Sequence, residues 1–224
     1  MFKTPTLLLL LLSTLALASN VQFGPDTPSD TGAAGYFRNH VALNTKNLTA
    51  AIGFYTRAFG FRHIVTNVLS EHLSFAYMGH AQAGRDGAGY QTAREMYRDI
   101  TNSAGLIELI YFDVPAQQDV SASSEQTNTL AHLGIIVPDI HAAQDRLDGI
   151  EGVDILKRVG EPMLSNDLVA MANGFGPHAW GQLSVEEQDA IDAAFNGLNL
   201  DFLWIKDPDG NILEVQPLVQ QLPQ

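Results

Sequence analysis

The sequence predicts an α+β protein made of two βαβββ modules. Three observations carry this reading. The order strand–helix–strand–strand–strand occurs twice, a polar linker separates the two copies, and His and Glu recur at the same two positions of each copy. A unit of about 80–90 residues is too long for a solenoid repeat, so two small modules facing each other across a cleft fit better. Hydrophobic residues make up 46% of the 224-residue chain, enough for a real core.

The chain opens with Met1-Phe2-Lys3, a short basic start. An apolar run follows at Leu7–Leu12, extended by Leu15 to Ala18. Ala16-Leu17-Ala18 fits a small-x-small cleavage site before Ser19. Residues 1–18 therefore read as a secretory signal peptide, too short for a membrane span, and the mature chain is expected to be secreted. Residues 19–35, rich in Gly, Pro, Asp, Ser and Thr, read as an extended leader.

The first module is expected over 36–114. It begins with a strand at Tyr36–Thr45. A helix follows at Leu48–Phe59, with Asn47 or Thr49 as N-cap, Gly60 as the stop, and Ile52, Tyr55 and Phe59 as its apolar stripe. Strands are expected at Phe61–Val68 and Leu73–Gly79. A Gly-containing polar stretch, His80–Ser103, precedes a last strand at Gly105–Phe112. The linker is 115–129. The second module spans 130–218: a strand at Leu130–Val137, and a helix capped by Asp139 and running to Leu147, with Ile140, Ala143 and Leu147 on one side. A strand at Val153–Val159 and an insertion over 160–199 come next. In that insertion Ser184–Phe195 reads as a helix with a capping box of Ser184 and Glu187. The module ends in a hairpin, Leu200–Ile205 and Asn211–Gln216, around the turn Asp207-Pro208-Asp209-Gly210. Residues 219–224 are a tail.

Charge and composition exclude several functions. With Lys+Arg 12 against Asp+Glu 25, the formal net charge is -13, which argues against nucleic acid and anionic membrane surfaces. The absence of Cys removes disulfides, thiolate ligands and a cysteine nucleophile, so a metal site must use His, Asp, Glu or water. No phosphate-binding glycine loop of the usual spacing and no Gly-x-Ser-x-Gly elbow occurs. Asn47-Leu48-Thr49 is the one glycosylation sequon, relevant to a secreted chain.

Four residues then stand out. His40 lies in the first strand of the first module and Glu108 in its last. His132 and Glu214 take the same places in the second. Side chains alternate along a strand, so Glu108 shares a face with Leu106 and Ile110. An unpaired carboxylate buried there would cost several kcal/mol. Glu214 and His132 sit among apolar neighbours in the same way. Two imidazoles and two carboxylates converging on one divalent cation solve all four problems together, and the donor set suits Zn, Ni, Mn, Fe or Co. Phe175, His178 and Trp180 in the second insertion are candidates for lining a substrate pocket.

The motifs His40-Val41-Ala42-Leu43-Asn44, Phe54-Tyr55-Thr56-Arg57-Ala58-Phe59-Gly60-Phe61, Ala131-His132-Leu133-Gly134-Ile135 and Asp207-Pro208-Asp209-Gly210-Asn211-Ile212-Leu213-Glu214, in this order, resemble the vicinal oxygen chelate (glyoxalase/bleomycin resistance/dioxygenase) superfamily, and glyoxalase I within it. The resemblance covers about Tyr36 to Pro217. It implies two βαβββ modules whose curved sheets enclose a metal cleft, with His40, Glu108, His132 and Glu214 as ligands. It also implies lyase or isomerase chemistry, a proton transfer through a metal-bound enediolate on a small α-oxygenated carbonyl substrate. Glu214 would be the main base, and Glu108 a ligand and second base. Where glyoxalase I carries an Arg and an Asn that help to hold glutathione, this chain has Asn44 and Phe112, and Gly197–Leu203 contains no Lys or Arg. A site without those cations is expected to bind the two carboxylates of glutathione poorly. Phe112 accordingly joins the substrate-binding candidates. The same fold leaves two alternatives: a non-haem iron extradiol-type dioxygenase, or a non-catalytic small-molecule binding protein. The expected state is a monomer or homodimer acting on a small molecule, with no nucleic acid and no membrane after signal cleavage.

Overall fold

The computed structural model describes residues 22–28, 30–83, 89–114, 120–163 and 168–218. The expected signal peptide and the 219–224 tail lie outside these residues, as does most of the glycine-rich stretch 84–89. The elements, in order, are β1 (His40–Thr45), α1 (Leu48–Phe59), β2 (Arg62–Val68), β3 (Leu73–Gly79), α2 (Ala93–Arg98), β4 (Leu106–Phe112), β5 (Leu133–Val137), α3 (Ile140–Asp148), β6 (Asp154–Lys157), α4 (Leu168–Met171), α5 (Pro177–Trp180), α6 (Val185–Asn199), β7 (Leu203–Lys206) and β8 (Ile212–Pro217).

They form two separate four-stranded sheets of the same order, β1-β4-β3-β2 and β5-β8-β7-β6. In each, the first and last strands pair in parallel and the remaining neighbours antiparallel. The expected α+β duplication is therefore the observed one, and the sheets do not close into a single barrel. Among the described residues no helix is long and apolar enough to cross a membrane.

Local chemistry explains most boundaries. Asn47 caps α1, its side chain accepting from Ala50 N, and Gly60 ends the helix with φ 70°, a conformation that glycine adopts without steric cost. Asp139 caps α3 by accepting from His141 N and Ala142 N. Ser184 caps α6 by accepting from Glu187 N. Three expected strands begin three or four residues later than read, and β6 covers Asp154–Lys157 in place of the expected Val153–Val159. Residues 36–39 do not join β1, because the ladder to β4 starts at His40 opposite Leu106 and Gly105 turns the chain just before. Likewise β5 begins at Leu133 opposite Leu213; continued backwards, the register would set Leu130 against Gly210, inside the turn. And β7 begins at Leu203 because α6 runs on to Asn199. The stretch read as a loop between β3 and β4 contains α2, held by a reciprocal capping box between Thr92 and Glu95.

Alternation along the strands splits each module into two faces. On one face Ile107, Leu109, Leu213, Val215, Leu203 and Ile205 join α1 and α3 in a single apolar core drawn from both modules. The opposite faces are covered by the insertions. Leu106 meets Met96 of α2 on the first sheet, and Trp204 and Ile212 meet Met163, Val169 and Ala172 on the second. Lys157, buried, ties the second insertion down: its ammonium donates to the carbonyls of Arg158, Leu200 and Phe202, and loss of hydration lowers its pKa.

Polar contacts join the modules as well. Tyr55 on α1 donates to Asp207 in the β7–β8 turn at 2.9 Å, and Lys46 N donates to Asp209 Oδ1 at 2.8 Å. Arg146 of α3 donates to the carbonyls of Arg57 and Ala58, placing a cation at the C-terminal end of α1. The linker, read as merely polar, clasps the same turn: Ser123 Oγ accepts from Ile212 N at 2.9 Å, and Ser123 is buried.

Candidate metal centre

Each sheet builds one His–Glu pair by the same register. Glu108 stands opposite Ala42 in the parallel β1–β4 ladder, and His40 lies two residues before Ala42 on the same face. Glu214 stands opposite Gly134 in the β5–β8 ladder, and His132 lies two residues before Gly134. The small residues opposite the carboxylates leave room for the imidazoles to reach across. His40 Nε2 is 3.4 Å from Glu108 Oε2, and His132 Nε2 is 3.7 Å from Glu214 Oε2. The glutamates are the more buried partners, with side chains 15% and 11% exposed against 35% and 26% for the histidines. Each pair thus has a recessed carboxylate and a more accessible ring.

The third strand of each module adds an aromatic. Tyr77 stands opposite Glu108 and meets the His40 ring edge-on at 5.6 Å; Trp204 stands opposite Glu214 and meets the His132 ring edge-on at 5.1 Å. Burial, then a hydrogen bond to Glu108 and that carboxylate's charge, push the Tyr77 phenol up to about 12. Tyr77 therefore remains a proton donor to Glu108 throughout the physiological range. On the other side the Gln216 amide donates to Glu214 Oε1, leaving Oε2 toward His132. The sequence reading missed Tyr77, Trp204 and Gln216. The matched position of two aromatics in the third strand of a repeat is the signal that could have found the first two.

His40 and His132 line one cavity of about 320 Å³, where the edges of β1 and β5 approach each other, together with Arg38, Phe61 and His80. The remaining candidates sit elsewhere. Phe175 and Trp180 are in ring contact, and Phe175 also stacks edge-on against Phe195 of α6; His178 is exposed on α5; Phe112 is exposed at the end of β4. None of these four is among the residues lining the cavity that the two histidines share.

Separations of 3.4 and 3.7 Å are long for a direct hydrogen bond, whereas two ligands of one tetrahedral cation stand about 3.3–3.6 Å apart. Neutral nitrogen paired with anionic oxygen is the expected chemistry for such an ion. The His40–Glu108 pair falls within this range, and the His132–Glu214 pair lies just beyond it. Among the described residues, no group of three or more His, Asp or Glu is gathered at one point. The structure brings His40 to Glu108 and His132 to Glu214, and opens both rings on one cavity, without drawing all four side chains into a single cluster.

Residues 38–215 match the Glyoxalase/Bleomycin resistance protein/Dioxygenase superfamily. Similar solved structures include the trypanothione-dependent glyoxalase I of Leishmania major, 14% identical with a TM-score of 0.42, over 81% of this chain and 86% of that one. Glyoxalase I from Zea mays is 16% identical with a TM-score of 0.43, over 80% of this chain and 43% of the maize chain, so this chain spans less than half of the maize protein. TnmS3, an antibiotic binding protein from Streptomyces sp. CB03234, is 13% identical with a TM-score of 0.41, over 82% and 97%. Comparison with curated proteins gives no match.

Proposed function

Because the chain belongs to the glyoxalase/bleomycin resistance protein/dioxygenase superfamily, we propose that it is a metal-dependent lyase or isomerase of the glyoxalase I type, acting on a small α-oxygenated carbonyl compound. The observation that carries this reading is the duplicated His–Glu pair, generated by one register in both sheets. His40, Glu108, His132 and Glu214 would hold the ion. A divalent ion held there would supply Lewis acidity to the reaction.

The protein's own residues do the rest. Glu214 removes the proton beside the carbonyl and returns it to the neighbouring carbon. Gln216 fixes Glu214 Oε1, so the proton moves at Oε2. Tyr77 steadies Glu108 by hydrogen bonding. Trp204, wholly buried behind His132, excludes water from that side. Among the described residues that line the cavity, Arg38 is the sole Lys or Arg. One cation suits a substrate with at most one acidic group better than glutathione with two.

The test is metal analysis of protein purified without chelator, followed by turnover of methylglyoxal with and without glutathione. The expected result is about one tightly held divalent ion per chain, weakened in His40→Ala, with turnover lost on chelation and restored by metal. Unchanged turnover after complete metal removal would overturn the reading. A second reading, a non-catalytic small-molecule binding protein, is favoured by one observation, the separation of the donors into two pairs. It expects ligand binding without turnover.

Secretion belongs to the same proposal, with cleavage before Ser19 and glycosylation of Asn47, an exposed residue whose cap bond runs to Oδ1. N-terminal sequencing and a glycosidase mass shift of the protein expressed in a eukaryotic secretory host test it. A retained Met1 would contradict cleavage, and an unchanged mass would contradict glycosylation.

A further inference from the structure

The two ring nitrogens of each candidate ligand are set by different partners. A carbonyl oxygen only accepts, so His132 Nδ1, 2.8 Å from the Ala172 carbonyl, carries the proton. His40 reaches the same state through an intermediary. Asn39 Nδ2 lies 2.8 Å from the Ile100 carbonyl and 2.6 Å from that of Ser103, and donates to both. Two acceptors on that side fix the orientation of the amide. Asn39 Oδ1 is therefore the atom 2.8 Å from His40 Nδ1, and it too can only accept. His80, in the same cavity, is held the other way: its Nε2 donates to the Phe59 carbonyl at 2.9 Å.

We propose that Asn39 is a positioning residue that locks His40 in the Nδ1–H tautomer, as the Ala172 carbonyl locks His132, so that both rings offer a bare Nε2 to a divalent cation. The inference deepens the metal reading above and rests on it. Ile100 and Ser103 belong to the stretch between β3 and β4, and Ala172 to the insertion between β6 and β7. Each module's insertion thus braces its own histidine, one through a side chain and one through the backbone. With Nε2 bare, ring and carboxylate face each other as two acceptors at 3.4 and 3.7 Å. That arrangement is unfavourable by itself and becomes favourable with a cation between them.

The experiment is long-range proton–nitrogen NMR of the imidazoles in metal-free protein, at a pH where they are neutral, alongside zinc competition against a chromogenic chelator. In the wild type, His40 and His132 are expected to show protonated Nδ1 and bare Nε2. Asn39→Ala is expected to move His40 toward the Nε2–H form, leave His132 unchanged, and weaken zinc binding by about 10–100-fold. If Asn39→Ala does not fold, the wild-type spectrum decides. A protonated Nε2 on His40 in the wild type, or an Asn39→Ala protein unchanged in both tautomer and zinc affinity, overturns the lock. Wild-type protein with both tautomers as stated but no zinc affinity overturns the metal reading instead.

Discussion

Glu214→Gln is expected to lower kcat by about 10²–10⁴-fold, the usual contribution of a positioned general base. The substitution is nearly isosteric, and its consequences for binding and for folding should separate. The new side chain keeps an oxygen to accept the Gln216 amide. Its own amide nitrogen takes the place of Oε2, facing His132 Nε2 across 3.7 Å. A donor then meets an acceptor where two acceptors met before. The metal-free variant should be as stable as the wild type or more so, gaining roughly 2–4 °C in Tm for each kcal/mol relieved. Metal affinity should fall, because an anionic ligand is gone. Turnover at the wild-type rate would remove Glu214 from the chemistry. A large fall in Tm would mean that the carboxylate is a structural group. If the protein is instead a binding protein on this fold, the variant should keep its ligand affinity.

The duplication was readable because it is written in residue types. His and Glu at matched positions, with a helix bounded by Asn47 and Gly60, need only local chemistry and strand alternation to be recognised. The pairing of His40 with Glu108 and of His132 with Glu214 then follows from the parallel register of first and last strands. What was not readable depends on long-range approach. Nothing near Asn39 in the chain announces the carbonyls of Ile100 and Ser103, 61 and 64 residues away. Ala172 is invisible for a simpler reason, since its backbone oxygen acts and its side chain does not. Helix α2 was missed because six residues are too few to show a period, although Thr92 and Glu95 held the signal. Phe175 and Trp180 were read by composition, as aromatics in a loop. Sequence cannot say whether such rings turn toward a cavity or toward each other, and here they meet each other and Phe195.

Asp207→Ala is expected to destabilise the protein by about 2–4 kcal/mol, chiefly by leaving buried donors without acceptors. Asp207 is 7% exposed and accepts from Tyr55 Oη, Asp209 N, Asn211 N and Asn211 Nδ2. Tyr55 is wholly buried, and burial followed by the charge of Asp207 holds its phenol well above the usual range, so it stays a donor. This one carboxylate therefore shapes the β7–β8 turn of the second module and ties it to α1 of the first. Tyr55→Phe alone should cost about 0.5–1.5 kcal/mol, since Asn211 still satisfies Asp207 Oδ2. The double variant should lose less than the two single losses combined, because Tyr55→Phe removes the hydroxyl that Asp207→Ala strands. Denaturant unfolding measures all three; strictly additive losses would mean that the bond carries no coupling between modules. Burial raises the Asp207 pKa above its ordinary 3.8 despite the hydrogen bonds that oppose the shift. The folded state then holds this proton more tightly than the unfolded state does. Its contribution to stability is fully present below pH 3.8 and is lost as pH rises through the folded value. The sign is opposite to that of an ion-paired carboxylate. Asp207→Asn should therefore flatten the stability profile over that window, while the wild type loses stability from this residue on going from acid toward neutrality. The same slope in both proteins would show that the carboxylate is not burdened by its burial.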